Sequence, residues 1–465
     1  MLTAIKATLL VMLASLSCGA QNDVWYFGDG AALSFLGGSP TAIPGSTLPG
    51  IDNMTSVSGQ TGNVLFYSNG MDVYDASHNL MMNGDGLGGS NTGGQCALIV
   101  PRPASTEYYL FTVGQWASSA GLRYSIVDMS LNGGLGAVTV KGQLLLPTST
   151  ERLETVRNPN DGSWWLLTHA WATDEFLAYH ISTAGLDVTP VVSAAGSVHD
   201  GGIPYGYNAA GQLTASPDGT QLVCGIYTDA VFEFFDLDPT TGVVTNARSI
   251  PGFPKAWGAA FSPGGSKLYL TKWYDDEVIQ LDLDAGTWSD VLVSETLVGI
   301  TSIIGSFGGY QAGYLQLGPD GRVYVAKFGQ DMISTIEYPE AAGTSCGFVD
   351  NSISLGSGIC KAGLCRSVTT VPAKPTGIFQ EGLADALHVF YDPIDHDVII
   401  TGSVPEGNID LALIDATGRI VLRSNRTTTT SGLLRIHSPG LVSGAYAVLI
   451  AHLNASKVAR FVVAR

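Results

Sequence analysis

The sequence is short of charge. Of its 465 residues, 13% are Asp, Glu, Lys or Arg, about half the roughly 25% of an ordinary soluble domain. Bases are the scarcer sign, 22 against 40 acids, which leaves a net charge of -18. That balance excludes the basic footprint on which nucleic-acid binding depends. Disorder is excluded from the other side: 45% of the chain is hydrophobic, whereas disordered chains join low hydrophobicity to high charge. Long apolar runs are also missing. The stretch from Ala7 to Leu16 is only about half of the roughly twenty residues a spanning helix needs, so no transmembrane segment is expected. The 6 cysteines show no CxxC spacing and no alternation with His, so a structural zinc site is not expected. Helical periodicity never persists beyond a turn or two. What the chain has in excess is Gly, 58 residues, together with 21 Pro and many β-branched residues. That is the composition of short strands joined by tight turns.

Residues 1–20 read as a secretory signal peptide: Lys6, the apolar run, then Cys18, Gly19 and Ala20 as a small-residue cleavage site between Ala20 and Gln21. Ser15 stands where a lipid-attachment signal has Leu, so cleavage is the preferred reading over lipidation of Cys18. The five cysteines beyond it fit an oxidising compartment. Cys96 and Cys224 lie in apolar runs and read as core thiols. Cys346, Cys360 and Cys365 crowd together; a Cys346–Cys360 disulfide is the preferred pairing, with Cys365 as an alternative partner.

Internal repetition organises the middle of the chain. A Pro/Asp/Gly turn precedes an apolar strand, then a second strand ending in Asp. Ser216-Pro217-Asp218-Gly219 leads to QLVCGIY and VFEFFDLD; Ser262-Pro263-Gly264-Gly265 leads to KLYLTKWY and EVIQLDLD; Gly318-Pro319-Asp320-Gly321 leads to RVYVAKFG and MISTIEYP. Weaker copies lie upstream, one starting at Asn158. In such a turn Pro fixes the first corner, Asp bonds the local backbone and Gly takes a positive φ. Starts at 158, 216, 262 and 318 suit four-stranded propeller blades with loops. Six repeats are visible between about residues 51 and 358. A seventh blade is expected from both chain ends, VWYFGDGAALSFLGG and GLCRSVTTV, with the C-terminal piece innermost. Such closure hides sheet edges.

The expected fold is therefore all-β: a seven-bladed β-propeller over residues 21–371, a linker at 372–384, and a small Ig-like β-sandwich over 385–465. In the last segment, strands alternate with turns every eight to twelve residues. Residues 385–465 hold seven acids and seven bases, so the mature remainder carries -19. The acidity belongs to the propeller.

The tail resembles the C-terminal sorting domain of type IX secretion substrates. LHVFYDPIDHDVIIT supplies a strand, turn and strand; Asp415, Gly418 and Arg419 form a D-x-x-G-R turn; Gly444 and Tyr446 form a G-x-Y strand; the end is basic. Asp392-Pro393-Ile394-Asp395 stands where Pro-Asn-Pro is usual. Residues 24–370 resemble a propeller domain of secreted proteins from the same bacterial lineage, on VWYFGDGAALSF, LFYSNGMDVYD, YSIVDMSLNGGLG and GYLQLGPDGRVYVA. The resemblance implies secretion or outer-surface association, and the type IX secretion machinery as a partner of residues 385–465. It brings no catalytic residue set.

Other motifs fail on context. Gly84 to Gly89 matches GxGxxG but lacks a following helix. Gly343 to Gly347 matches GxSxG without the strand–helix elbow. Asp275-Asp276-Glu277 could meet Ca²⁺, though a solvated loop is the simpler reading, and no cofactor is expected. Asp236, Asp238, Asp282 and Asp284 read as turn formers. In propellers, loops entering the innermost strands share one face with loops between second and third strands. Trp116, Trp171, Tyr205, Lys255, Trp257 and Tyr310 fall in such loops, where aromatic rings offer flat contact area at low entropy cost. The expected function is non-catalytic binding of an extracellular protein or glycan. The alternative is a propeller enzyme, lactonase-like or quinoprotein dehydrogenase-like, with its site at the channel mouth.

Overall fold

A computed structural model describes residues 24–366 and 387–463, apart from 37–39, 48–49, 51, 53, 60–61, 203–204, 303–311, 393–395, 403, 405–406, 416–419, 429–432, 439, 442–443 and 453–454. Residues Ala20 and Gln21 and the 372–384 linker lie outside it.

From Val24 to Arg366 the chain forms seven sheets around a central channel, six of them built strand by strand outward in chain order. Blade 1 is Val24–Phe27, Ala31–Ser34 and Thr41–Ala42; blade 2 is Met54–Ser58, Val64–Ser68 and Val73–Asp75. Blade 3 runs from Ala97–Pro101 through Glu107–Val113 and Leu122–Asp128 to Ala137–Leu146. Blade 4 starts at Glu154–Arg157 and Trp164–His169, blade 5 at Leu213–Ala215 and Gln221–Ile226, blade 6 at Ala256–Phe261 and Lys267–Lys272, blade 7 at Ala312–Leu317 and Val323–Lys327. The Pro/Asp/Gly turns fall between first and second strands, and Gly219 and Gly321 take φ of +71° and +83° there. This is the seven-bladed propeller.

Low charge follows from the packing. Inner strands are covered on both faces by neighbouring blades, so all six residues of Trp164–His169 and of Ala256–Phe261 are buried. Only outer strands such as Val243–Pro251 expose most positions. Each core cluster between blades joins two neighbours: Val156 and Trp165 with Leu213 and Cys224, or Phe232 and Phe234 with Ala259 and Leu268. The ring closes the same way. Trp25 of blade 1 packs 4.7 Å from Phe35 and 5.3 Å from Tyr324 of blade 7.

Two expectations need correction. The N-terminal strands do not share a blade with the C-terminal piece. Cys365–Arg366 is innermost, but it runs parallel to Met54 and Thr55 of blade 2. Asp29 and Ile359 exchange backbone hydrogen bonds beside blade 1, and the chain then passes on to the channel edge of blade 2, where the Cys365 Sγ lies 3.0 Å from the Ser56 Oγ. The Cys346–Cys360 disulfide is also absent: both are buried free thiols. Cys346 sits in the core between blades 6 and 7 and Cys360 in that between blades 7 and 1. They occupy opposite faces of blade 7.

The tail is a β-sandwich. Leu387–Asp392, Asp397–Gly402 and Leu433–His437 form one sheet; Ile420–Thr428, Gly407–Asp415, Gly444–His452 and Ala455–Val463 form the other. Their core includes Val398, Ile400, Leu411, Leu413, Val448 and Ile450. Tyr446 belongs to this core, paired with Asp415 on one side and Phe461 on the other. Gly444 is exposed at the strand's start, and Gly418 and Arg419 lie outside the described residues.

Candidate ligand-binding face

Second strands of blades 3 to 7 all end on an aromatic residue within three positions: Trp116, Trp171, Tyr227, Trp273 and Phe328. Strand direction puts these on the face that also carries the links into each innermost strand. The rings connect. Trp116 lies 5.1 Å from Tyr205 and 5.3 Å from Tyr207; Tyr207 is 6.0 Å from Tyr227, and Tyr227 is 5.9 Å from Trp257. Trp257 continues to Trp273 at 4.6 Å, and Trp273 to Tyr274 and Phe328 at 5.9 Å each. The result is an arc across five blades, with Tyr205 and Tyr274 the most exposed members. Lys255 stands 4.0 Å over Tyr274 and Lys361 5.7 Å over Phe328, at the same end.

The backbone of this face is strained. Trp116, Ala117, Ala172, Ala230, Lys255 and Tyr274 have φ between +50° and +69°. Left-handed non-glycine residues are uncommon and cluster at functional sites.

Of the residues singled out from the sequence, Trp116, Tyr205 and Trp257 belong to the arc. Trp171 borders it, near enough that a Cβ on Gly206 would meet its ring at 3.3 Å. Lys255 closes the far end. Trp257 is only 7% exposed and so forms floor rather than rim. Tyr310 lies outside the described residues. The sequence reading missed Tyr207, Tyr227, Trp273, Tyr274, Tyr314 and Phe328. The signal was an aromatic recurring just after the second strand of each of blades 3 to 7, in GQW, HAW, GIY, TKW and AKF.

Beneath the arc lies a polar floor. Tyr314 stacks on Trp257 at 4.7 Å with planes 1° apart. Glu151 is buried, and its two carboxylate oxygens accept from the backbone N–H of Gly94 and of Trp116, each at 2.5 Å. Glu151 thus fixes the Trp116 turn. Burial raises its pKa, and burial with the Glu151 charge raises Asp52 well above the carboxylate range. Burial and the same two acids push the Tyr314 phenol up.

A second polar cluster sits between blades 4 and 5. Arg152 is fully buried and donates through Nη2 to the carbonyls of Asn208, Ala210 and Gly225. Its Nη1 lies 3.4 Å from His199 Nδ1. Guanidinium only donates, so Nδ1 accepts, and Nε2 carries the proton toward Glu233 Oε2, also at 3.4 Å. His169 stacks on His199 at 3.6 Å. Burial, with His199 and Arg152 as neighbours, holds His169 well below the usual histidine value; burial and Arg152 do so for His199. The folded-state values therefore lie under the unfolded value of about 6.5. Stability from these neutral rings is present above pH 6.5 and is lost as pH falls below it, where the unfolded chain binds the extra protons. Buried carboxyls such as Glu233 shift the opposite way, and their effect cancels in a variant comparison. His169→Gln is expected to flatten the acid-side slope by about 1.4 kcal/mol per pH unit. Urea midpoints of both proteins from pH 7 to 5 check this; parallel slopes would count against it.

Elsewhere the acids have structural work. Lys272 Nζ lies 2.8 Å from Asp275 and 2.7 Å from Glu277, a cation of the chain's own inside that loop. Asp238 accepts from the Thr240 backbone and hydroxyl, and Asp282 from Lys267 and from the Asp284 backbone; Asp236 pairs with Arg248. No group of three or more His, Cys, Asp or Glu among the described residues could hold a metal ion. Residues 84–89 are loop, and Ser345 sits in a single 3-10 turn, Gly343–Cys346.

No protein-family model and no curated protein matches the sequence. Solved structures do. The periplasmic gluconolactonase PpgL of Pseudomonas aeruginosa is 15% identical at a TM-score of 0.37, covering 74% of this chain and 88% of its own. Hydrazine synthase of Kuenenia stuttgartiensis is 11% identical at 0.38, covering 77% and 94%. PorZ, a surface component of the type IX secretion system of Porphyromonas gingivalis, is 11% identical at 0.31, covering 96% and 70%. No residue role is carried over from any of them. Among the described residues, no helix is long and apolar enough to cross a membrane.

Proposed function

We propose that the propeller is a non-catalytic glycan-binding module acting outside the cytoplasm. The observation that carries this is the continuous aromatic arc from Tyr205 to Phe328, in which rings just after second strands meet rings from the link into blade 5 and from the first strand of blade 6. Flat rings with few charges suit the apolar faces of sugars. At one end Lys255 and Lys361 lie over aromatic rings, and Asp275 beside Tyr274 is already paired with Lys272. The enzyme alternative would place its chemistry on Asp52 and Glu151. Both Glu151 oxygens already hold backbone N–H groups, which favours a role in fixing the Trp116 turn. The test is calorimetric titration of the full mature chain with cello-, xylo-, manno- and chitohexaose. A neutral hexaose is expected to bind, and Trp116→Ala or Trp273→Ala to weaken it about thirtyfold, as interface anchors do. Absence of binding by every hexaose overturns the reading.

The 385–465 sandwich serves, in this proposal, as the sorting signal for type IX export, following cleavage after Ala20. The sequence resemblance through Asp415, Gly418, Arg419, Gly444 and Tyr446 supports it. Deleting 385–465 is expected to leave the propeller in the periplasm of a type IX-competent host; undiminished release into the medium refutes this.

A further inference from the structure

Buried hydrogen-bond donors without acceptors are costly, so each one in a folded protein calls for an explanation. Two occur side by side under the aromatic arc. The Tyr314 hydroxyl and the Trp257 indole Nε1 have no hydrogen-bond partner, and the residues are 2% and 7% exposed. Their rings are stacked, so the two donors belong to one rigid unit. Trp257 also touches Tyr227 and Trp273, the central rings of the arc. The hydroxyl lies beside Gly94 and Glu151: a Cβ on Gly94 would meet it at 2.1 Å and the Glu151 Oε2 at 3.2 Å. Asp52, close enough to act on the phenol, is half-buried.

We propose that Trp257 and Tyr314 are the specificity-determining floor of the glycan site, donating from the indole N–H and the phenol O–H to oxygen acceptors of a neutral sugar unit. This rests on the glycan reading above and narrows it to uncharged chains. Glu151 flanks the same corner, and its charge, which already raises Asp52, opposes a second carboxylate there. A uronate would place like charges together in a poorly solvated site, whereas a sugar hydroxyl accepts both donors at no such cost. Because the donors are unpaired before binding, removing them takes no hydrogen bond from the free protein.

The full chain, Tyr314→Phe and Trp257→Phe are titrated with the hexaose that binds best and with an oligogalacturonate of equal length. Each variant keeps an aromatic ring in the stack and is expected to match or exceed the parent Tm. Each is expected to weaken neutral-hexaose binding about tenfold, the loss of one ligand hydrogen bond, and the oligogalacturonate to bind at least tenfold more weakly than the hexaose. Unchanged affinity in both variants overturns the floor while leaving the arc reading intact. Equal binding of the oligogalacturonate overturns the neutral-sugar claim. If no hexaose binds the parent chain, the arc reading and the floor fall together.

Discussion

Arg152→Met is expected to cost about 3–5 kcal/mol of stability, the range for stripping one member from a buried charged cluster. Arg152 precedes the first strand of blade 4 but spends its donors on blade 5 and its link, at the carbonyls of Asn208, Ala210 and Gly225. Methionine fills comparable volume, yet three buried carbonyls lose a donor and Glu233 loses a nearby positive charge. Arg152→Lys is expected to recover less than half of the loss, because a single ammonium cannot reproduce a planar fork aimed at several acceptors. Urea unfolding followed by tryptophan fluorescence reads both values. A loss under about 1 kcal/mol for the methionine variant would show that the blade 4–5 seam is held by its apolar cluster alone.

The repeat was legible because it is written twice, in turn chemistry and in strand periodicity. Ser216 to Gly219 and Gly318 to Gly321 each demand a hairpin, and QLVCGIY or RVYVAKF can only be a strand covered on both faces. What the sequence could not show is closure. Blade 1 is completed by packing Trp25 on Tyr324, a contact 299 residues apart with no local signature, and Cys365–Arg366 gained its parallel partner from the free edge of Met54–Ser58. Cysteine spacing misled for a related reason. Cys346 and Cys360 are close in sequence, but the last strand of blade 7 lies between them and turns them to opposite faces.

The site was half legible. Loop aromatics could be placed on one face from strand direction alone, so Trp116 and Tyr205 were found; Trp257, expected in a loop, is instead the second residue of the strand Ala256–Phe261. Tyr314 was not, because it lies inside a strand, third residue of Ala312–Leu317, and strand tyrosines ordinarily belong to the core. Arg152 and Glu151 were invisible for the opposite reason: charged residues in a link read as solvated. Their burial follows only from the ring closing over the mouth.

The same closing explains the second large effect, expected at Gln212. An innermost strand has a free edge toward the channel, and buried backbone groups there need partners. Gln212, 2% exposed, supplies them across three blades: its Oε1 accepts from Ala259 N at 2.9 Å and Leu315 N at 3.2 Å, and its Nε2 donates to Leu315 O at 2.8 Å. Gln95 does likewise for both backbone groups of Leu213. Side-chain amides thus stand in for the strand that the channel has no room to hold. Gln212→Met keeps length and removes all three bonds, leaving fully buried groups unpaired at about 1–3 kcal/mol each; a loss of about 3 kcal/mol or more is expected. Gln212→Glu separates this from a packing defect. An ionised carboxylate still accepts from both N–H groups but faces the Leu315 carbonyl without a proton, and burial raises its pKa above the unfolded value of about 4.3. The protonated form restores the missing donor, so the variant's stability relative to the parent should be greatest below pH 4.3 and be lost as pH rises through the folded-state value. The methionine variant should show no such trend. If both variants lose the same amount at every pH, the channel amides act as filler and the free edges are satisfied by other groups.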